Sequence, residues 1–273
     1  MVMRLYSIAV YLFLYVPIGI IVLFSFNSGR HASELQGLSI KWYGKALNNP
    51  FVMDALTTSL IIALSAAILS SLMGTAAALA LQRVRGPMKA IFDGLIYVSI
   101  MIPGIVIGIA TLVALVTVFD LLNPVLAALW PEDAKPPKLS LGYASVIAAH
   151  TLFTMSLVIV VVRARLAGMD RSLIEASEDL YASPWRTFVQ VTLPQLSPAI
   201  LAGFLLSFTF SFDDFIISLF VAGPNSTLPI YVFSSIRRGI TPEVNAIGTM
   251  VLAVSLTLLI GAQYLLRARN RQR

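Results

Sequence analysis

The stretch Glu175-Ala176-Ser177-Glu178-Asp179-Leu180-Tyr181-Ala182-Ser183-Pro184, continued by Trp185 to Pro194, decides how this chain is read. It is charged and helix-prone, and it lies between two long apolar segments. The chain has 273 residues, 58% of them hydrophobic and 12% charged. Soluble domains carry about 25% charged residues. A chain this apolar is expected in a bilayer. The 175–194 stretch does not belong there, so it is expected to stand outside the bilayer and touch a partner.

Backbone polar groups in lipid must be satisfied internally, which leaves helices or a closed barrel. The apolar runs are about 20 residues long, not the ~10-residue alternating segments of a barrel, so helices are expected. Six are predicted, at about Leu5–Phe26, Ala55–Leu81, Ala90–Phe119, Gly142–Val162, Gln195–Val221 and Asn245–Leu266. The first follows Arg4, yet its apolar run exceeds the ~7–15 residues of a signal peptide and no small-x-small site follows, so it reads as a retained helix. Pro17 and Gly19 inside it predict a kink. Segment two is rich in Ala, Ser and Thr, which favours close packing inside a bundle. Ile102-Pro103-Gly104 interrupts segment three and permits a bend, and Gly104 and Gly108 form a G-x-x-x-G packing face. Trp42 and Tyr43 suit half-burial at a membrane–water interface.

Six helices put both termini on one side. Arg4, Arg83, Arg85, Lys89, Arg163, Arg165, Arg171, Arg186, Arg267, Arg269, Arg271 and Arg273 lie on that side. Arg30, Lys41, Lys45, Lys135, Lys138, Arg237 and Arg238 lie on the other, so the larger share of the 19 Lys and Arg is with the termini. The positive-inside rule then places both termini and the 163–194 loop in the cytoplasm. The formal charge of +6 follows this topology and is no sign of nucleic-acid binding. With no cysteine, no disulfide, thiolate nucleophile or Cys-based metal site is possible. No Walker A, H-E-x-x-H or dinucleotide glycine pattern occurs, so ATP, if it drives the protein, is bound by another chain.

Within the loop, Ser172 stands three residues before Glu175, the spacing of a capping box. A short helix is expected over Leu173–Leu180, with Glu175 and Asp179 on one face and Glu178 beside them. Ser183-Pro184 starts a second helix, with Pro at its first position. Spacing alone admits either a docking helix–turn–helix or a solvated charged loop.

Glu175-Ala176-Ser177, then Ala182, then Val191-x-x-Pro194 resembles the E-A-A loop of ABC importer membrane subunits. The resemblance implies an all-α polytopic fold, a MetI-like permease bundle in which this loop is the coupling helix that docks into an ATP-binding subunit. Glu175, Ala176, Ser177, Asp179, Ala182 and Pro194 are its implied ATPase-coupling residues. The family carries Gly near the position of Tyr181, and Gly would serve a turn needing φ > 0. With Tyr181 the turn is expected to be made differently.

Gly37-Leu38-Ser39-x-x-Trp42-Tyr43, Ser211-Phe212-Asp213-Asp214, Ala222-Gly223-Pro224, Thr227-Leu228-Pro229 and Pro242-Glu243-Val244-Asn245-Ala246 are similar to segments of the spermidine/putrescine permease group. This likeness covers nearly the whole chain. It implies one half of a permease pair, most simply a heterodimer, in a bacterial inner membrane. The implied partners are an ATPase dimer holding ATP and Mg, an extracytoplasmic binding protein and membrane lipid. No cofactor is expected in this chain. Importers of aminophosphonates and other organic solutes carry similar segments, so the substrate stays open between a polyamine and another small solute.

Asp213-Asp214 is the second constellation. A carboxylate at the centre of a membrane helix costs about 2.5 kcal/mol or more. Adjacent helical residues lie ~100° apart, so only one of the two can face a central cavity. Phe212 and Phe215 offer ring faces for an ammonium group. Asp213, Asp214, Phe212 and Phe215 are therefore candidate substrate-path residues for a cation. The alternative is a structural pair satisfied by Arg237, Arg238 or a partner permease. His150, alone in segment four, reads as an interhelical hydrogen-bonding residue or as a substrate or proton group. A proton-coupled secondary transporter using His150 and Asp213 is the rival reading. It would call for inverted repeats, and none is evident.

Overall fold

The computed structural model describes residues 2–31, 34–131, 134–239 and 241–270, so Arg271 and Arg273 lie outside the described residues. The chain is helical. In order come α1 (Val2–Ser25), α2 (Lys41–Leu47), α3 (Pro50–Leu81), α4 (Pro87–Met101), α5 (Gly104–Leu129) and α6 (Tyr143–Ala167). Then follow α7 (Ser172–Asp179), α8 (Pro184–Thr187), a π-helical turn (Phe188–Thr192), α9 (Leu193–Asp213), α10 (Ile216–Val221), α11 (Leu228–Arg238) and α12 (Pro242–Asn270). Among the described residues four helices begin on a proline, Pro50, Pro87, Pro184 and Pro242, where its missing N–H leaves nothing unpaired. Five helices among the described residues are long and apolar enough to cross a membrane: Met3–Ser25, Pro50–Leu81, Gly104–Leu129, Tyr143–Ala167 and the Pro184–Asp213 run.

Three expected boundaries are corrected. Segment three is two helices, because Ile102 is extended (ψ 133) ahead of Pro103, whose ring disfavours the helical conformation before it. The second of these helices runs on through Asp120 and Pro124 to Leu129, so the loop expected from Asp120 starts after Leu129. Segment five is not one helix either: α9 ends at Asp213, Asp214 is extended (φ −70, ψ 121), and α10 restarts at Ile216.

Two compact units form, Met1–Asp54 with Tyr231–Arg273, and Ala55–Ile230. In the first, α12 packs on α1 and α2. The loop after α1 is organised by Asn27, which is fully buried. Its amide donates to the carbonyls of His31 (3.0 Å) and Glu34 (2.7 Å), and its Oδ1 accepts from the N–H groups of Gly29 (3.0 Å) and Gln36 (3.1 Å). Asn27 also bridges Leu38. Trp42 of α2 is buried against this loop rather than half-buried at an interface; its indole N–H donates to Gly29 O at 3.2 Å and Lys45 Nζ lies 4.8 Å from its ring centre. Glu243 accepts from the Asn49 amide at 2.8 Å. Several segments quoted for the family likeness are thus the residues that knit this unit together.

In the second unit α6 is central. It packs on α4, α5, α9 and α10. Buried Val158 sits where Gly74 of α3 and Gly203 of α9 approach; a Cβ at Gly74 would fall 2.8 Å from Val158 Cβ. Ser70 Oγ joins Thr154 Oγ1 at 2.5 Å, tying α3 to α6. Gly108 is the packing member of the G-x-x-x-G pair: a Cβ there would meet Phe220 at 2.7 Å, so α10 presses closely on α5. Ile62, Val146, Ala149, Ile217, Val221 and Ala222 form one buried apolar cluster, and Ala78, Ile96, Val158, Ile159, Val162 and Leu196 another.

Candidate functional site

The polar loop between α6 and α9 is a helix–turn–helix, but it is capped differently from the expectation. Asp170 Oδ1 accepts the Ser172 N–H at 2.9 Å, and Ser172 is the first helical residue rather than the cap. The capping box with Glu175 is not formed. The Ser172 N–H and hydroxyl beside Asp170 hold its carboxyl below the usual carboxylate range. Glu175 falls in the first turn of α7, where the positive end of the helix favours an acid.

The turn after α7 overturns a second expectation. Tyr181 has φ 58 and is the non-glycine residue with positive φ among the described residues. Its N–H bonds Glu178 O (2.9 Å), and the Ala182 N–H bonds Ser177 O (3.1 Å). This is the paired 5→2 and 6→1 pattern of a Schellman motif, with tyrosine where glycine is usual. The turn geometry is therefore kept and Tyr181 carries the strain. Tyr181 is 97% exposed, so its ring offsets little of that strain within the chain. Tyr181→Gly should relieve the left-handed strain of roughly 1 kcal/mol, less the added chain freedom of glycine. Slower amide hydrogen exchange across 178–183 is the expected result, measured on the intact protein; faster exchange would contradict it.

α8 is capped by Ser183 Oγ, which accepts the Arg186 N–H at 3.4 Å, and it begins on Pro184 as expected. Ser177 Oγ meets Thr187 Oγ1 at 2.8 Å and fastens α7 to α8. Trp185 packs its ring 5.7 Å from Phe188 yet stays 71% exposed, and Leu180 is 82% exposed. A groove of about 950 Å³ runs alongside, lined by Glu175, Glu178, Arg83, Arg85, Arg171 and Trp185 among others. The structure thus brings Glu175 and Glu178 to one groove. It leaves Asp179 outside that lining, and Asp179, Ala176 and Pro194 are exposed while Ala182 is partly buried.

At the α9–α10 break the two acids part company. Asp214 Oδ2 lies 3.2 Å from His150 Nε2 and accepts the Ser218 N–H at 2.8 Å. It closes the first turn of α10, with His150 and Ser218 as its partners. His150 is 1% exposed; its Nδ1 lies 2.7 Å from Ser211 Oγ, and Ser218 Oγ approaches Nε2 at 3.2 Å. A carboxylate only accepts, so Nε2–H donates to Asp214, while Nδ1 shares a hydrogen bond with the Ser211 hydroxyl. This is the interhelical reading of His150. Asp213 is exposed, and no hydrogen bond or ion pair to its carboxylate occurs among the described residues. Phe212 stacks on Phe208 at 5.8 Å, and Phe215 opens α10. The sequence held an unused signal for Asp214: an Asp just ahead of the short apolar run Ile216–Val221 is a helix-start pattern. Nothing local in sequence pointed to Ser211 and Ser218 as partners of His150. No cluster of His, Cys, Asp or Glu able to hold a metal occurs among the described residues.

Membrane-length helices around α6, with a polar double helix set between two of them, define a multi-pass membrane protein. The chain belongs to the family described as "Binding-protein-dependent transport system inner membrane component", which it matches over residues 70–272. It is 36% identical over 264 residues to the spermidine/putrescine transport system permease protein PotC of Escherichia coli (strain K12), covering 96% of this chain and 93% of that one. It is 38% identical over 266 residues to the putrescine transport system permease protein PotI of the same strain, covering 96% and 89%. The fold is shared with a crystal structure of a bacterial ABC transporter involved in the import of the acidic polysaccharide alginate, at TM-score 0.77 and 15% identity over 97% of this chain and 94% of that one.

Proposed function

We propose that the chain is one permease half of an ATP-driven importer for a polyamine cation of the putrescine or spermidine kind. The single observation that carries the substrate class is the likeness, over 96% of the chain, to permeases of two polyamine systems. Residues 1–273 form one permease domain with six spans. α4 with α5 makes the third span, and α12 the sixth. Both termini and the 163–194 loop face the cytoplasm, where the basic residues concentrate.

The chain pairs with a second, related permease. A binding protein delivers the solute from outside, as the family description implies. ATP and Mg act on a separate ATPase dimer, and this chain catalyses no hydrolysis. Glu175, Ala176, Ser177, Asp179, Ala182 and Pro194 belong to the coupling loop. Glu175 and Glu178 offer acidic groups in a groove, and Leu180, Tyr181 and Trp185 offer exposed apolar surface, a combination suited to docking a protein. Asp213, with Phe212 and Phe215 beside it, is the cation contact; Asp214 supports it structurally.

Uptake of labelled putrescine and spermidine by cells with and without this gene, in a strain lacking other polyamine importers, tests the reading. Loss on deletion and recovery with the wild-type gene are expected. Unchanged uptake overturns the polyamine assignment, and a competition panel of aminophosphonates and amino-acid derivatives then identifies the solute.

A further inference from the structure

We propose that His150 is the positioning residue for Asp213: one buried imidazole ring holds the chain on both sides of it and so fixes where its free carboxylate stands. This rests on the reading of Asp213 as the cation contact. The ring's Nδ1 engages Ser211, two residues before Asp213, at 2.7 Å. Its Nε2 engages Asp214, one residue after, at 3.2 Å. The two bonds come from opposite sides of a single rigid ring, so the backbone between 211 and 214 is stapled to α6.

The staple sits where the helix stops. α9 ends at Asp213 and Asp214 is extended, so without a restraint the last turn of α9 would fray, as helix ends do. α10 is fastened to the same helix twice. Ser218 lies beside the imidazole, and Ser145 Oγ donates to Val221 O at 2.7 Å. The break is thereby fixed to α6 from Ser211 to Val221. Asp214 is used up in this staple and Asp213 is left with its carboxylate free. A polar group buried this deeply is costly unless bonded, and here each ring nitrogen has a partner. A held carboxylate presents one position to a cation. A loose one must be ordered on binding, and that ordering cost appears in the affinity.

The test compares His150→Leu, His150→Gln and Ser211→Ala with Asp213→Asn, singly and combined, in the intact transporter. The readouts are KM and Vmax for labelled putrescine and spermidine, with co-purification of the partner subunits as the assembly check. Gln has a donor and an acceptor and can replace both ring contacts; Leu can replace neither. His150→Leu should raise KM about tenfold with Vmax within about twofold of wild type. His150→Gln should recover most of the KM. In an Asp213→Asn background His150→Leu should add little, because the group it positions no longer carries the charge.

Should His150→Leu fail to assemble, Ser211→Ala, which removes one of the two ring bonds, should raise KM about threefold and do so only when Asp213 is present. Independent, multiplying effects of the His150 and Asp213 substitutions would overturn the positioning role while leaving the cation contact standing. An unchanged Vmax/KM for Asp213→Asn would overturn the cation contact itself, and the positioning role with it.

Discussion

Asp213→Asn should lower polyamine uptake, as Vmax/KM, by about 10- to 100-fold while leaving the protein assembled in the membrane. The magnitude follows from a charge-assisted hydrogen bond, worth roughly 1.5–3 kcal/mol, at about 1.4 kcal/mol per factor of ten. The same comparison explains why the effect falls on Asp213 and not equally on its neighbour. A carboxylate within a span costs about 2.5 kcal/mol or more unless something compensates it. Asp214 is compensated inside the chain by His150 and by the Ser218 N–H. Asp213 has no such partner among the described residues, so its carboxylate is left for water, a cation or a partner permease to meet. Asparagine keeps the size and one acceptor oxygen and removes the charge, so folding is expected to survive. Initial-rate uptake with labelled putrescine over a concentration series, normalised to the amount of transporter in the membrane, is the measurement. A wild-type Vmax/KM would take Asp213 off the substrate path.

The sequence carried most of the architecture because hydrophobic length is a direct reading of span length. The apolar runs at 5–26, 55–81 and 142–162 correspond to α1, α3 and α6 within a few residues at most ends. It failed where tertiary context outweighs composition. Asp120 and Pro124 look like loop residues, yet α5 continues through them. Ser211 to Phe215 sits inside one apolar run, and the helix stops there because the Asp214 side chain bonds the first turn of α10 and His150 instead of continuing α9. No local pattern reveals a partner 64 residues away. The Tyr181 turn shows the opposite case. Side-chain preference argued against a left-handed residue, but the two Schellman hydrogen bonds and the need to start α8 at Pro184 hold that conformation. The loop's motif was legible in the sequence; that Glu175 and Glu178, rather than Asp179, share the groove was not, since it depends on how α7 lies against the ends of α3 and α6.

Glu175→Lys should cut ATP-driven uptake by more than about tenfold and weaken co-purification of the ATPase. Truncating one partner of a hydrogen-bonded charge pair at an interface costs about 2–5 kcal/mol, and reversal adds repulsion. The local cost to the chain is much smaller. An acid in the first turn of a helix is worth about 0.3–1 kcal/mol, so α7 should persist in the variant. The groove changes character more than the helix does. Arg83, Arg85 and Arg171 already line it, opposed by Glu175 and Glu178, and the substitution leaves Glu178 as the remaining acid of that set. A basic side chain of the ATPase that approaches this groove would then meet four cations and one anion. Asp179→Lys supplies the comparison, because Asp179 lies outside the groove lining; its effect should be clearly smaller than that of Glu175→Lys. Equal losses would mean that net charge on the loop matters and not the groove. Normal co-purification together with normal coupled turnover for Glu175→Lys would remove the docking role from α7 and turn attention to the exposed Leu180, Tyr181 and Trp185 instead.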